Sequence, residues 1–155
     1  MTEKAKNILY LFSRLIPGAV LLYAGYIKLM SPAEEFAYAI ESYKIISGRA
    51  ALYAAIFFPW LEVYCGILLI SGLFVKKLSA FAAAVFIFFE LLLAQAFLRG
   101  LEIKDCGCFG AAHSNSLPVE MALNIIWLSL LFLSFKKGTF FSLDSYWENK
   151  FKNEK

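Results

Sequence analysis

The 155-residue chain is 61% hydrophobic, carries a formal net charge of +3 and has three cysteines, with a mean hydropathy of +0.66. Soluble domains are roughly 45–50% apolar, so this composition excludes an ordinary water-soluble fold and indicates an integral membrane protein whose first partner is the lipid bilayer. The small positive balance is no sign of nucleic-acid binding, because lysines beside a bilayer account for it.

Four apolar runs, residues 8–29, 51–74, 78–98 and 119–135, meet the length of about 17–25 residues that a membrane-spanning helix needs. Leu117 and Pro118 extend the last. The first is expected to be a retained span and not a cleaved signal, because it is long and interrupted by Arg14. The expected fold is all-α: a four-transmembrane-helix bundle forming a single domain over residues 1–155, with its core at 8–135 and a tail at 136–155. Nine basic residues, Lys4, Lys6, Lys76, Lys77, Lys136, Lys137, Lys150, Lys152 and Lys155, fall on one side of these spans. The other side has five basic residues against six acidic ones. The positive-inside rule then places both termini in the cytoplasm and the protein in the cytoplasmic (inner) membrane.

Within the first span, Pro17 removes a backbone donor and predicts a bend, while Gly18 and Gly25 thin the helix for close packing. Arg14 either snorkels to the headgroups or turns into the bundle. Ser31-Pro32-Ala33-Glu34 reads as a helix start with Ser31 as N-cap, Pro32 at the first helical position and Glu34 completing a capping box. Phe36, Ile40 and Tyr43 follow at helical spacing, which predicts a short amphipathic helix on the extracytoplasmic side, ended near Gly48.

The second span places Glu62 about 16 Å from its outer end at 1.5 Å per residue. A carboxylate at that depth is protonated, paired or turned to a polar cavity. Glu90 falls at comparable depth, with Asn124 and Gln95 nearer the outside. The four are expected to meet in one buried network, either as interhelical hydrogen bonds or as a polar pocket or proton route. Cys65, one turn deeper than Glu62, reads as a small apolar core residue. In the tail, Phe140, Leu143, Trp147 and Phe151 share one face and predict an interfacial helix on the cytoplasmic leaflet.

The chemically distinctive stretch lies between the third and fourth spans: Asp105-Cys106-Gly107-Cys108-Phe109-Gly110, on the extracytoplasmic side. Gly107 permits the sharp bend that would bring the two thiols together. Their Cα atoms can lie within about 4.4–6.8 Å, but the favoured dihedral near 90° is hard to reach, so a bond there is strained and easily reduced. Three readings compete. A metal site would draw on Cys106, Cys108 and His113, perhaps with Asp105, but structural zinc sites use wider spacing and the chain has one histidine. A structural staple would close too small a ring to constrain much of the chain. A redox-active pair is the reading adopted, with Arg99, Lys104 or His113 available to lower a thiol pKa and Asp105 to raise it.

The run Cys106-Gly107-Cys108-Phe109-Gly110 resembles the hallmark of the MauE (methylamine-utilisation) family within the DoxX-like membrane proteins. Arg14, Gly18, Gly25, Lys28, Pro32, Phe36 and Tyr43 resemble the first span and following segment of that group, and Pro59, Glu62 and Gly66 the second, so the resemblance covers residues 8–135. It implies a four-helix membrane protein that works with an extracytoplasmic thioredoxin-fold protein in maturing disulfide-rich exported proteins. The catalytic pair would be Cys106 and Cys108, supported by Asp105, Gly107, Phe109 and Gly110, with Arg14, Glu62, Glu90 and Asn124 as the intramembrane polar residues. No resident cofactor or metal is expected. The helix count also resembles the quinone-linked disulfide-forming proteins, whose two-residue-spaced cysteine pair is missing here. A scaffold or chaperone docking a partner through Phe36, Ile40 and Tyr43, or a quinone or small-molecule carrier using Glu62 and Glu90, are the alternatives.

Overall fold

A computed structural model describes residues 3–101, 103, 116–137, 142–145, 147 and 150. Among the described residues, five helices of ten residues or more follow in order: α1 (Glu3–Met30), α2 (Ala33–Ser42), α3 (Arg49–Ser71), α4 (Val75–Leu98) and α5 (Leu117–Lys137). All but α2 are long and apolar enough to cross a membrane. Their outward faces carry large exposed apolar side chains such as Ile56, Phe57 and Ile67 on α3, Phe81, Ile87 and Leu91 on α4, and Ile125 and Phe132 on α5. Water would oppose so continuous an apolar surface, whereas lipid accepts it. The fold is therefore the expected four-helix membrane bundle.

The element boundaries follow local chemistry and correct the sequence reading at the two ends of α2. α1 continues unbroken through Pro17, which is buried. α2 starts at Ala33 with Pro32, not Ser31, at the N-cap position, and no side chain caps it. The extended ψ of 135° at Pro32 ends the preceding chain, and the Glu35 N–H donates to the Pro32 carbonyl at 3.1 Å. Nor does Gly48 end α2, which stops at Ser42. Gly48 precedes α3 with a φ of +60°, a conformation that favours glycine, and its N–H donates to the Glu41 carboxylate at 2.6 Å. Glu41 thereby ties the end of α2 to the start of α3.

Close approach of α1 and α3 fixes the register of the bundle. A Cβ added at Gly25 would lie 2.7 Å from the Pro59 carbonyl oxygen, and one at Gly66 would lie 2.7 Å from the Gly18 carbonyl oxygen. The two backbones meet here without intervening side chains, the device by which membrane helices gain dispersion contact. α5 packs along both α1 and α4, whereas the consecutive helices α3 and α4 touch little. Cys65 sits in the central core with Leu21, Leu69, Ala82, Phe86 and Leu131, the apolar role expected of it. α2 turns Phe36 and Ala37 inward against Ala51 and Ala55 of α3, and Tyr43 is equally buried. The apolar face proposed from sequence to hold a partner is thus used inside the molecule.

At the end bearing the N-terminus, the α3–α4 turn is locked by the tail. Gly72 and Phe74 are both left-handed, with φ of +76° and +49°. Asp144 accepts the N–H groups of Phe74 and Val75 at 2.9 and 2.8 Å, capping α4, and its own N–H donates to the Gly72 carbonyl at 3.2 Å. Leu143 and Trp147 of the tail are exposed; Phe140 and Phe151 lie outside the described residues. At the opposite end, Tyr43, Leu93 and Ala96 form a buried cluster with Leu101, Ile103, Leu117 and Met121.

Candidate functional site

On α1, Arg14, Gly18, Leu21, Gly25 and Lys28 recur at helical spacing and are all buried. Gly25 brings α3 close enough that its added Cβ would meet the Glu62 Cβ at 3.0 Å. Lys28, one turn further along the same face, therefore reaches Glu62. Its Nζ donates to Oε1 at 2.7 Å and to Oε2 at 2.8 Å, with side chains only 1% and 4% exposed. The ammonium also lies 4.9 Å from the Phe36 ring centroid and 6.0 Å from that of Phe89, within cation–π range. A bidentate geometry with aromatic faces behind it is what a charge pair needs to persist in so dry a setting.

Glu62 is thus paired, and it also faces a cavity. About 40 Å³ of space is lined by Lys28, Glu62, Glu120 and Asn124 together with apolar residues that include Phe86, Phe89 and Trp127. That is room enough for water, with polar partners to hold it. Asn124 Nδ2 donates to the Phe86 carbonyl and to Glu90 Oε2, both at 3.0 Å. The single network expected from sequence is in fact divided. Glu62 belongs to Lys28, Glu90 to Asn124, and the buried Gln95 amide has no hydrogen-bond partner among the described residues. The cavity is where the Glu62 and Asn124 sides meet.

Two members of this site were not singled out from sequence as site residues. Lys28 and Glu120 end or begin apolar runs and so count as flanking charges, yet both are buried. The signal that finds Lys28 is its place on the Arg14–Gly18–Gly25 face. Arg14 itself is 2% exposed, so it faces the bundle. At 1.5 Å per residue it lies about 21 Å along α1 from Lys28, beside Gly72, where its guanidinium occupies the space a Cβ would need. The Asp144 carboxylate acts on it electrostatically. Arg14 belongs to the tail lock and not to the cavity.

Cys106, Cys108, Asp105, Gly107, Phe109, Gly110, Lys104 and His113 lie outside the described residues. The chain on either side of them is described. Leu101 and Ile103 before the motif, and Leu117 and Met121 after it, pack in the one cluster around Tyr43, Leu93 and Ala96. Cys106 follows Ile103 by three positions in the chain, at most about 11 Å of backbone. Among the described residues, no group of three or more His, Cys, Asp or Glu side chains is placed to hold a metal ion.

Comparison with known proteins adds a family. The profile described as "Methylamine utilisation protein MauE" matches residues 6–136. A curated relative from Methylophilus methylotrophus, "Methylamine utilization protein MauE", is 34% identical over 106 residues, covering 68% of this chain and 55% of its own length. The chain thus spans about half the length of that relative. No solved structure matches it significantly.

Proposed function

The chain belongs to the MauE family, and from that premise we propose that it is a membrane thiol/disulfide redox protein. Cys106 and Cys108 exchange a disulfide with a thioredoxin-fold partner on the extracytoplasmic side and support the maturation of exported proteins. The methylamine utilisation named for its relative is the process such a partner would serve. The reaction is an exchange in which one thiolate attacks a disulfide sulfur and the second thiol resolves the mixed disulfide.

The observation that carries this reading is the anchoring of the motif. Both ends of the cysteine-bearing connection are pinned in one apolar cluster at the end of the bundle. A working redox loop needs such a fixed base, because its two sulfurs must meet each other and a partner in turn. The charge balance supports the placement. With Lys28 and Glu120 buried, the exposed basic residues remain concentrated at the other end, which the positive-inside rule assigns to the cytoplasm.

Cys106→Ser and Cys108→Ser variants test the proposal in membranes containing the thioredoxin-fold partner. Each variant is expected to accumulate normally while the partner's redox state shifts away from wild type. An unchanged partner redox state in both variants would contradict the assignment.

A further inference from the structure

A groove of about 390 Å³ runs between α4 and α5, and its lining is almost wholly carbon. Ala80, Ala83 and Ile87 line it from α4, and Phe132 and Phe135 from α5. Ala80, Ile87, Phe132 and Phe135 are exposed, and on helices that cross a membrane that exposure is to lipid. Ser79 is buried in the same lining and shares a hydrogen bond of 2.9 Å with Ser134, which joins the two helices.

The extent of the groove and the charges at its end restrict what can occupy it. From Ser79 to Ile87 it runs about 12 Å along α4 at 1.5 Å per residue, less than half of a hydrocarbon core roughly 30 Å thick. It therefore stays within one leaflet, at the end of the bundle that bears the N-terminus. Lys76 precedes Ala80, Ala83 and Ile87 by four, seven and eleven positions, so it stands on the same stripe of α4. Across from it, the Lys136 ammonium lies 4.6 Å from the centroid of the Phe132 ring, a cation–π contact that holds it beside the groove. Lys77 and Lys137 are their neighbours in sequence, and all four lysines are exposed. The Asp144 carboxylate at the start of α4 is taken up by the Phe74 and Val75 N–H groups.

We propose that this groove seats an acyl chain of one anionic phospholipid, whose phosphate is held by Lys76 and Lys136. A carbon-lined trench open to the bilayer accepts a hydrocarbon tail and offers a polar ligand no hydrogen bonds. Lysines between helices at headgroup level attract a lipid with net negative charge. A zwitterionic lipid presents the same phosphate, but its own cation offsets the attraction. A spanning helix of a second copy would need contact along the full membrane thickness, and the groove ends near mid-membrane. A lipid seated there braces α4 against α5 on their outer side, as the Ser79–Ser134 bond does within the bundle.

Native mass spectrometry of the purified protein in detergent, titrated with phosphatidylglycerol or with phosphatidylcholine of the same acyl chains, tests the site. Wild type should bind one phosphatidylglycerol in preference to phosphatidylcholine. The Lys76→Gln/Lys136→Gln variant should bind phosphatidylglycerol at least about tenfold more weakly, as expected when two lysines beside an anionic headgroup are neutralised. Ala80→Phe, which fills the groove from an exposed position, should weaken binding with unchanged helical content. Lys44→Gln, at the opposite end of the bundle, should bind as wild type does. Equal affinity of wild type for the two lipids would overturn the proposal, as would unchanged affinity in the folded double-lysine variant. So would an equal loss in Lys44→Gln, which would reduce the effect to general charge attraction. A lipid-free dimer that Ala80→Phe dissociates would place a second copy in the groove and overturn it as well.

Discussion

Lys28 of α1 and Glu62 of α3 form a bidentate ion pair that joins two membrane-spanning helices and closes one side of a water-sized cavity. Removing one member leaves the other charged and buried, at a cost of about 3–5 kcal/mol. Lys28→Met and Glu62→Leu are each expected to lose that much in SDS-induced unfolding, and the double variant to recover most of it.

The glycine contacts that set this pair in register predict an overpacking penalty. Gly25→Ala would place a methyl group 2.7 Å from the Pro59 carbonyl and 2.8 Å from Val63 Cγ2. Separation of α1 from α3 should cost about 1–3 kcal/mol, measured by unfolding. It should also lower protection of the Lys28–Glu62 region in hydrogen exchange.

Asn124 spends its amide protons on the Phe86 carbonyl and the Glu90 carboxylate. Asn124→Leu keeps the volume but strips both acceptors of a donor within the bundle, for an expected loss of about 1–3 kcal/mol. Asn124→Asp tests the same contact through charge, since a second carboxylate beside Glu90 should destabilise the fold.

At the other end, Asp144→Ala removes the cap from α4 and the tie between tail and turn. The expected loss is about 0.5–2 kcal/mol, with faster proteolysis of the segment after Lys137 while the four spanning helices stay intact. Asp144→Asn, which keeps one acceptor oxygen, should recover part of the effect.

How much of this was legible in sequence divides by physical cause. The spans were readable because bilayer thickness demands unbroken apolar runs, and Glu62 was marked by its depth within one. Its partner was not marked. Lys28 stands at the end of an apolar run, where a lysine ordinarily meets headgroups, and only the helix register set by Gly18, Gly25 and Gly66 turns it inward. Glu120 was hidden in the same way at the start of α5. Gln95 shares the helix and depth range of Glu90 but faces elsewhere, a matter of helix rotation that spacing in one chain does not determine. The α2 cap failed because the chain used Pro32 itself to turn, leaving Ser31 outside. The cysteine motif lies outside the described residues, and the fold adds the cluster on which the chain before and after it rests.

The central claim is tested most directly by differential alkylation of Cys106 and Cys108 in membranes, in a Cys65→Ala background, before and after brief mild reduction. The account predicts that the two are bridged at the start, become labelled after mild reduction, and are reached by a membrane-impermeant reagent from the extracytoplasmic side. Thiols that are free from the start and remain free under oxidant would contradict it.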